Sequence, residues 1–144
     1  MEAAYQSFSS PIASQRRLEP HALVFDGFRW HARARDADAD RFRDFVLGRL
    51  SDPALTAETA KDAAADEAWT TRVELTIAPH PGLSPHQRAA IAADYAMADE
   101  RLILTPRKAV SFYVKRRLGL GEGHHDRPAN DQHIVLAAER EIAR

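Results

Sequence analysis

The chain has 144 residues and no cysteine. Disulfides and thiolate metal sites are therefore excluded, and the composition fits a reducing compartment, here expected to be the cytoplasm. Lysine is nearly missing: it stands only at positions 61, 108 and 115, so almost all of the 20 basic residues are arginine. That bias favours forked contact with carboxylate or phosphate over simple solubility. No stretch approaches the ~20 apolar residues of a membrane span, and no signal-peptide core opens the sequence. A formal net charge of −1 argues against a whole-chain grip on duplex DNA, so any nucleic-acid contact must be local. Hydrophobic residues still make up 44% of the chain, which supplies a core for one ordinary domain or two small ones.

Glycine is also scarce, but one falls where it matters. Asp26-Gly27 separates two apolar-rich runs, and the second residue tolerates the positive φ of a hairpin turn. Beyond it the residues alternate. Phe28, Trp30, Ala32 and Ala34 share one parity, while Arg29, His31, Arg33 and Arg35 share the other. A strand with an aromatic face and a cationic face follows. Such a cationic face needs either solvent or an anionic guest. A second run places Arg41, Arg43, Phe45, Leu47 and Arg49 on one parity. If it is the next strand, Arg43 and Phe45 are expected beside Arg33, a pairing suited to a phosphate-bearing ligand with a flat base. The bland alternative pairs these arginines with Asp36, Asp38, Asp40 and Asp44 as ordinary salt bridges worth about 0–1 kcal/mol each. Charge pattern alone leaves both open.

Three blocks carry a family resemblance: Pro-x-x-Leu-Val-Phe from Pro20 to Phe25, Gly-Phe-Arg-Trp from Gly27 to Trp30, and Arg-x-Phe-x-x-x-Arg from Arg43 to Arg49. In order and spacing they resemble the WYL domain, a ligand-sensing module of bacterial winged-helix regulators. The name-giving triplet aligns with Trp30-His31-Ala32, of which only the Trp is kept. Together with Tyr5-Gln6-Ser7 and Pro20-His21-Ala22, these residues resemble the WYL repressors found with phage-defence systems. The resemblance implies a mixed α/β chain: a small Sm-like, SH3-type β-barrel followed by a small α+β extension. It also implies a homodimer and a ligand pocket drawn from Tyr5, Ser7, His21, His31, Arg33, Arg43 and Phe45, with Arg49 beside them. In that pocket Arg33 and Arg43 clamp phosphate, Tyr5 or Phe45 stacks a base, and Ser7, His21 and His31 exchange hydrogen bonds.

Strands are expected at 16–25, 28–35 and 41–50, with a short one near Tyr5. The Ala-, Asp- and Glu-rich stretch at 53–70 reads as a linker with a loose helix, which gives a WYL domain at 1–52 and an extension at 71–144. In the extension, Val73, Leu75 and Ile77 alternate with polar neighbours as a half-buried strand. Ser84-Pro85 and Thr105-Pro106 both read as helix starts, and Ser84 with Gln87 fits a capping box. Val110, Val114 and Leu118 form a helical stripe, with Phe112 and Tyr113 available to a core or an interface. Gly119 supplies the stop, and a last strand is expected at 133–137.

Other chemistry finds little support. Seven histidines include His80, His86, His124 and His125, all read as surface-loop residues, but no metal-ligand spacing accompanies them. No nucleophile elbow is present, and Gly119-Leu120-Gly121-Glu122-Gly123 follows a helix instead of a strand, the wrong context for a phosphate loop. The chain is thus expected to be a non-enzymatic sensor without cofactor or metal, answering to a nucleotide, an oligonucleotide or a nucleic-acid end. DNA would be touched only through a winged-helix region that these residues lack. The competing expectation is a stand-alone Sm-like protein binding single-stranded RNA.

Overall fold

The computed structural model describes residues 1–58, 60 and 63–142. It divides into two compact units, Met1–Asp66 and Glu67–Arg144. Of the expected linker at 53–70, Thr59, Lys61 and Asp62 lie outside the described residues.

The first unit is an antiparallel sheet of β1 (Glu2–Tyr5), β2 (Ser14–Phe25), β3 (Trp30–Asp36), β4 (Arg41–Val46) and β5 (Leu50–Ala54), in the order β4-β3-β2-β1-β5. The twelve-residue β2 serves both halves: its beginning pairs with β1 and the rest with β3. The expected barrel is not closed, because no pairing joins β4 to β5 among the described residues. The single strand expected at 41–50 breaks instead into β4, a 3-10 turn at Leu47–Arg49 and β5. Pro53 lies on β5, an edge strand, where a missing N–H costs no ladder bond.

Register fixes which side chains share a face, since directly opposed residues project the same way. Ala32 opposes Phe45, Ala34 opposes Arg43 and Asp36 opposes Arg41 on one face; His31 opposes Val46, Arg33 opposes Asp44 and Arg35 opposes Phe42 on the other. The first face holds the unit's core, where Leu18, Ala34 and Phe45 are buried with Met1, Tyr5 and Leu50 packed against them. The Tyr5 and Phe45 rings meet edge to face at 5.1 Å.

The second unit contains α1 (Glu67–Thr70), β6 (Arg72–Pro79), α2 (Pro85–Asp94), β7 (Leu102–Leu104), α3 (Lys108–Arg117) and β8 (Ile134–Ile142). Its sheet runs β7-β6-β8, all antiparallel. Ile77, Leu120 and Ile134 form its buried centre, joined by Ile91 of α2, Leu102, Leu104 and Leu118. The capping box expected at α2 is present: Gln87 N–H donates to Ser84 Oγ at 3.3 Å, and Ser84 N–H donates to Gln87 Oε1 at 2.9 Å. At Thr105-Pro106 the structure differs, because α3 starts two residues later. The carbonyl of Pro106 accepts from Val73 N–H, and Lys108 N–H donates to Thr71, which holds the approach extended. Gly119 stops α3 with φ at 71°. β8 runs well past 137 because it pairs with the whole of β6.

His124 is a correction to the reading of loop histidines as surface residues. It is buried in a 3-10 turn at His124–Asp126, its Nδ1 donating to the Gly121 carbonyl at 2.7 Å and its Nε2 accepting from Leu136 N–H at 3.2 Å. Those two bonds define a neutral tautomer that staples the turn to β8.

Candidate functional site

The hairpin between β2 and β3 begins the site. Gly27 takes φ of 98°, and Asp26 closes the turn by accepting the backbone N–H groups of Phe28 at 2.8 Å and Arg29 at 2.6 Å. The same carboxylate meets His31 Nε2 at 2.9 Å. The Arg29 amide, then His31, then the Phe28 amide hold its carboxyl well below the usual carboxylate range.

Further along β3, Arg33 is spent entirely inside the unit. Its Nε and Nη2 donate to Asp66 at 2.7 and 2.9 Å, while Nη1 donates to Asp44 at 3.1 Å. Burial pulls the guanidinium pKa down, but the bonds to Asp66 and Asp44 outweigh it and leave it raised. Arg35 likewise reaches Glu19 at 2.9 Å and Asp40 at 2.8 Å. The cationic face therefore carries no solvated row of charges: His31 and Arg33 are 4% and 7% exposed. The salt-bridge alternative names the right partners at Asp40 and Asp44, but Arg33–Asp44 is a buried pair and not an ordinary surface one.

His21 enters through an irregularity. Pro20 opposes Ala34 and Ala22 opposes Arg33, so one residue of β2 is extra to the ladder. A bulge of this kind re-aims a side chain. His21 uses it to reach Asp66, with Nε2 at 3.1 Å from Oδ2, and lies edge to face with Phe42 at 5.6 Å.

The expected convergence of Arg33 and Arg43 is corrected by the register. Asp44, one position off, opposes Arg33, whereas Arg43 opposes Ala34 and projects from the other face with Phe45. There its guanidinium stands 5.9 Å from the Phe45 ring centre and 3.9 Å from Asp36, which also meets Arg16 at 3.4 Å. The two arginines cannot clamp one phosphate from opposite sides of a sheet.

A different cation-lined hollow exists at the hairpin end. Arg29, Trp30, Val46, Leu47, Gly48 and Arg49 line an open depression of about 510 Å³. Trp30 is half exposed beside Phe25, with ring centres 5.1 Å apart. Arg29 is tied to Asp26 at 3.4 Å, whereas Arg49 has no ion pair or side-chain hydrogen bond among the described residues. Gly48 opens the floor: a Cβ there would meet nothing within 4 Å. Volume, ring and guanidinium suit a flat, negatively charged ligand.

Comparison with known proteins puts names to both units. Residues 1–55 match the WYL domain family, and residues 72–142 match the family described as the BrxR transcriptional regulator, C-terminal dimerization domain. The chain is a WYL domain joined to a BrxR-type C-terminal dimerization domain. It is 41% identical over 99% of its length to a DNA-binding transcriptional repressor CapW of Stenotrophomonas maltophilia, and 37% identical over 99% to one of Pseudomonas aeruginosa. An Escherichia coli (strain KTE188) CapW is 37% identical over 96% of the chain. The chain spans about half the length of these curated relatives: 48%, 48% and 46%.

Within the WYL domain the expected site residues fall into four places. His21, His31 and Arg33 line the closed polar face; Tyr5, Arg43 and Phe45 belong to the core face; Arg49 lines the depression. Ser7 is partly buried in the loop after β1, with its hydroxyl 3.5 Å from that of Ser9. Sequence reasoning missed Asp66 and Trp30 as site residues and offered Asp44 only as one of four salt-bridge partners. Asp44 was readable only with the register in hand, and Asp66 lies in a polar stretch that shows no strand or helix period. No group of three or more potential metal ligands occurs among the described residues, and no described helix is long and apolar enough to cross a membrane.

Proposed function

We propose that this chain is the effector-responsive and dimerising portion of a transcriptional repressor of the phage-defence WYL kind. Its WYL domain takes a nucleotide or a short oligonucleotide at the Trp30–Arg49 depression, and its second unit joins two copies. Contact with DNA belongs to a different part of such a regulator, since the first unit matches a WYL domain and the second a dimerization domain. The reading makes the chain non-enzymatic and cytoplasmic.

The observation that carries the effector half is Arg49: a guanidinium without a protein counter-charge among the described residues, beside an exposed indole, in a hollow of nucleotide size. A ligand-controlled repressor works by differential affinity, so the effector shifts the equilibrium between dimer states by no more than its preference for one of them.

Trp30 makes the test direct. In a Trp69→Phe background, titration with thymidine monophosphate and 5′-phosphorylated oligothymidylates should quench Trp30 fluorescence with one-to-one saturation. Arg49→Ala should weaken binding about tenfold, the loss of one charge-assisted contact, and rising salt should weaken it steeply. No quenching by any of these probes, or quenching indifferent to Arg49→Ala, overturns the reading. Long unstructured RNA binding far more tightly than any short probe would favour the RNA-binding alternative.

For the dimer, Phe112 and Ile103 are large apolar side chains more than half exposed on the second unit. Phe112→Ser should shift sedimentation from dimer toward monomer, whereas Phe8→Ser, at a still more exposed ring of the first unit, should not.

A further inference from the structure

Asp66 is the last residue of the first unit, and its side chain is 2% exposed. It follows a 3-10 turn at Ala63–Ala65, into which its own N–H donates at 3.0 Å to the Ala63 carbonyl. Three nitrogens converge on its carboxylate: Arg33 Nε and Nη2 at 2.7 and 2.9 Å, and His21 Nε2 at 3.1 Å. A carboxylate seated on the forked edge of a guanidinium, with a histidine beside it, occupies the geometry in which two oxygens of a phosphomonoester would sit. The domain spends a strand bulge on bringing that histidine there.

We infer that Asp66 is a built-in surrogate ligand: it fills an anion site formed by Arg33 and His21, and a phosphoryl group competes with it for that site. The inference rests on the reading that the WYL domain answers to an anionic effector and adds a second locus, on the face opposite Arg43. Charge accounting supports exchange over simple opening. Removing Asp66 alone would leave a buried arginine with only Asp44 on Nη1. Replacing one anion by another on the Nε–Nη2 edge keeps the cation paired throughout, and Asp66 moves into water where its charge costs little. Because the Arg33 side chain is 9% exposed while Asp66 is seated, the two occupants exclude each other. Occupancy by the guest releases the turn at 63–65, the piece of chain that leads into the dimerisation unit. The site thus ties ligand capture to the freedom of that connection.

The experiment uses the full chain and inorganic pyrophosphate as probe. Asp66→Asn keeps the shape but removes the competing charge and one of the two acceptors that Arg33 uses, so calorimetry should show binding at least tenfold tighter than wild type. Asp66→Asn/Arg33→Met, which removes both charges together, should bind no better than wild type. In the unmodified protein, saturation with pyrophosphate should speed amide exchange at residues 63–66. Equal affinity for wild type and Asp66→Asn overturns the inference, and so does exchange at 63–66 that stays the same or slows in the saturated wild-type protein. The second measurement needs no variant to fold. Oligothymidylate quenching of Trp30 reports the effector reading separately. If it persists while Asp66→Asn gains nothing, only the surrogate falls. If it is absent while Asp66→Asn gains affinity, the Trp30 depression loses its role and the Arg33–His21 site keeps its own.

Discussion

On one side of β2, β3 and β4, Arg33 is buried with its guanidinium divided between two carboxylates; on the other, Arg43 leans over Phe45 with nearly half of its side chain in water. The two residues are of one type, on neighbouring strands, yet they differ in what stands opposite them. Arg33 faces Asp44 across the ladder, and Arg43 faces Ala34. A cation becomes structural when the register supplies its counter-charge, and stays available when it supplies a methyl group.

Substitutions at these positions break that contrast or sharpen it. The largest effect is expected from Arg33→Ala, which removes the buried guanidinium that Asp66 and Asp44 share. Loss of one partner from a buried pair costs about 3–5 kcal/mol, so thermal or denaturant unfolding should show a severely destabilised or unfolded first unit. Next comes the turn. The Asp26 carboxyl is held below its ordinary value, so the stability it contributes is complete above the unfolded carboxylate pKa of ~3.9 and is lost as pH falls through the depressed folded value. Asn at this position still accepts the two amide bonds but cannot ionise. Melting curves of Asp26→Asn between pH 6 and 2 should therefore fall off less below about pH 4 than those of the wild type. Arg43→Ala should cost no more than about 1 kcal/mol, since its contact with Asp36 is long and its side chain is 44% exposed. Trp30→Ala closes the series, with stability within about 0.5 kcal/mol of wild type but no measurable nucleotide binding. An Arg43 variant as damaging as the Arg33 variant would erase the distinction between the faces.

Much of this architecture was legible from period and punctuation. The alternation from Phe28 to Arg35 located β3, Asp26-Gly27 located its turn, and Ser84-Pro85 with Gln87 located α2, because each is a local rule that neighbours enforce. The misses share a cause. Which strand residue faces which depends on a one-residue offset, and period-two patterning cannot tell Asp44 from Arg43 as the partner of Arg33. Asp66 sits in a segment of Ala and Asp without apolar rhythm, so only tertiary contact shows that it is buried. Thr105-Pro106 looks like a helix start, but Val73 and Thr71 claim the local backbone first. For the site, residue types were readable and their grouping was not: one list of eight candidates resolves into a sealed network, a core face, an open hollow and a loop serine.

The extra residue in β2 has a practical consequence. With His21 in place, Pro20 keeps Ala34 and Ala22 keeps Arg33 as neighbours; excising His21 would leave every one of those partnerships as it stands and merely straighten the strand. A single-codon deletion there is thus a cleaner subtraction than any point change, because it withdraws one imidazole and asks nothing else to move. Chains of this kind found in nature with the position missing would be expected to fold alike and to have given up the interaction that the imidazole serves.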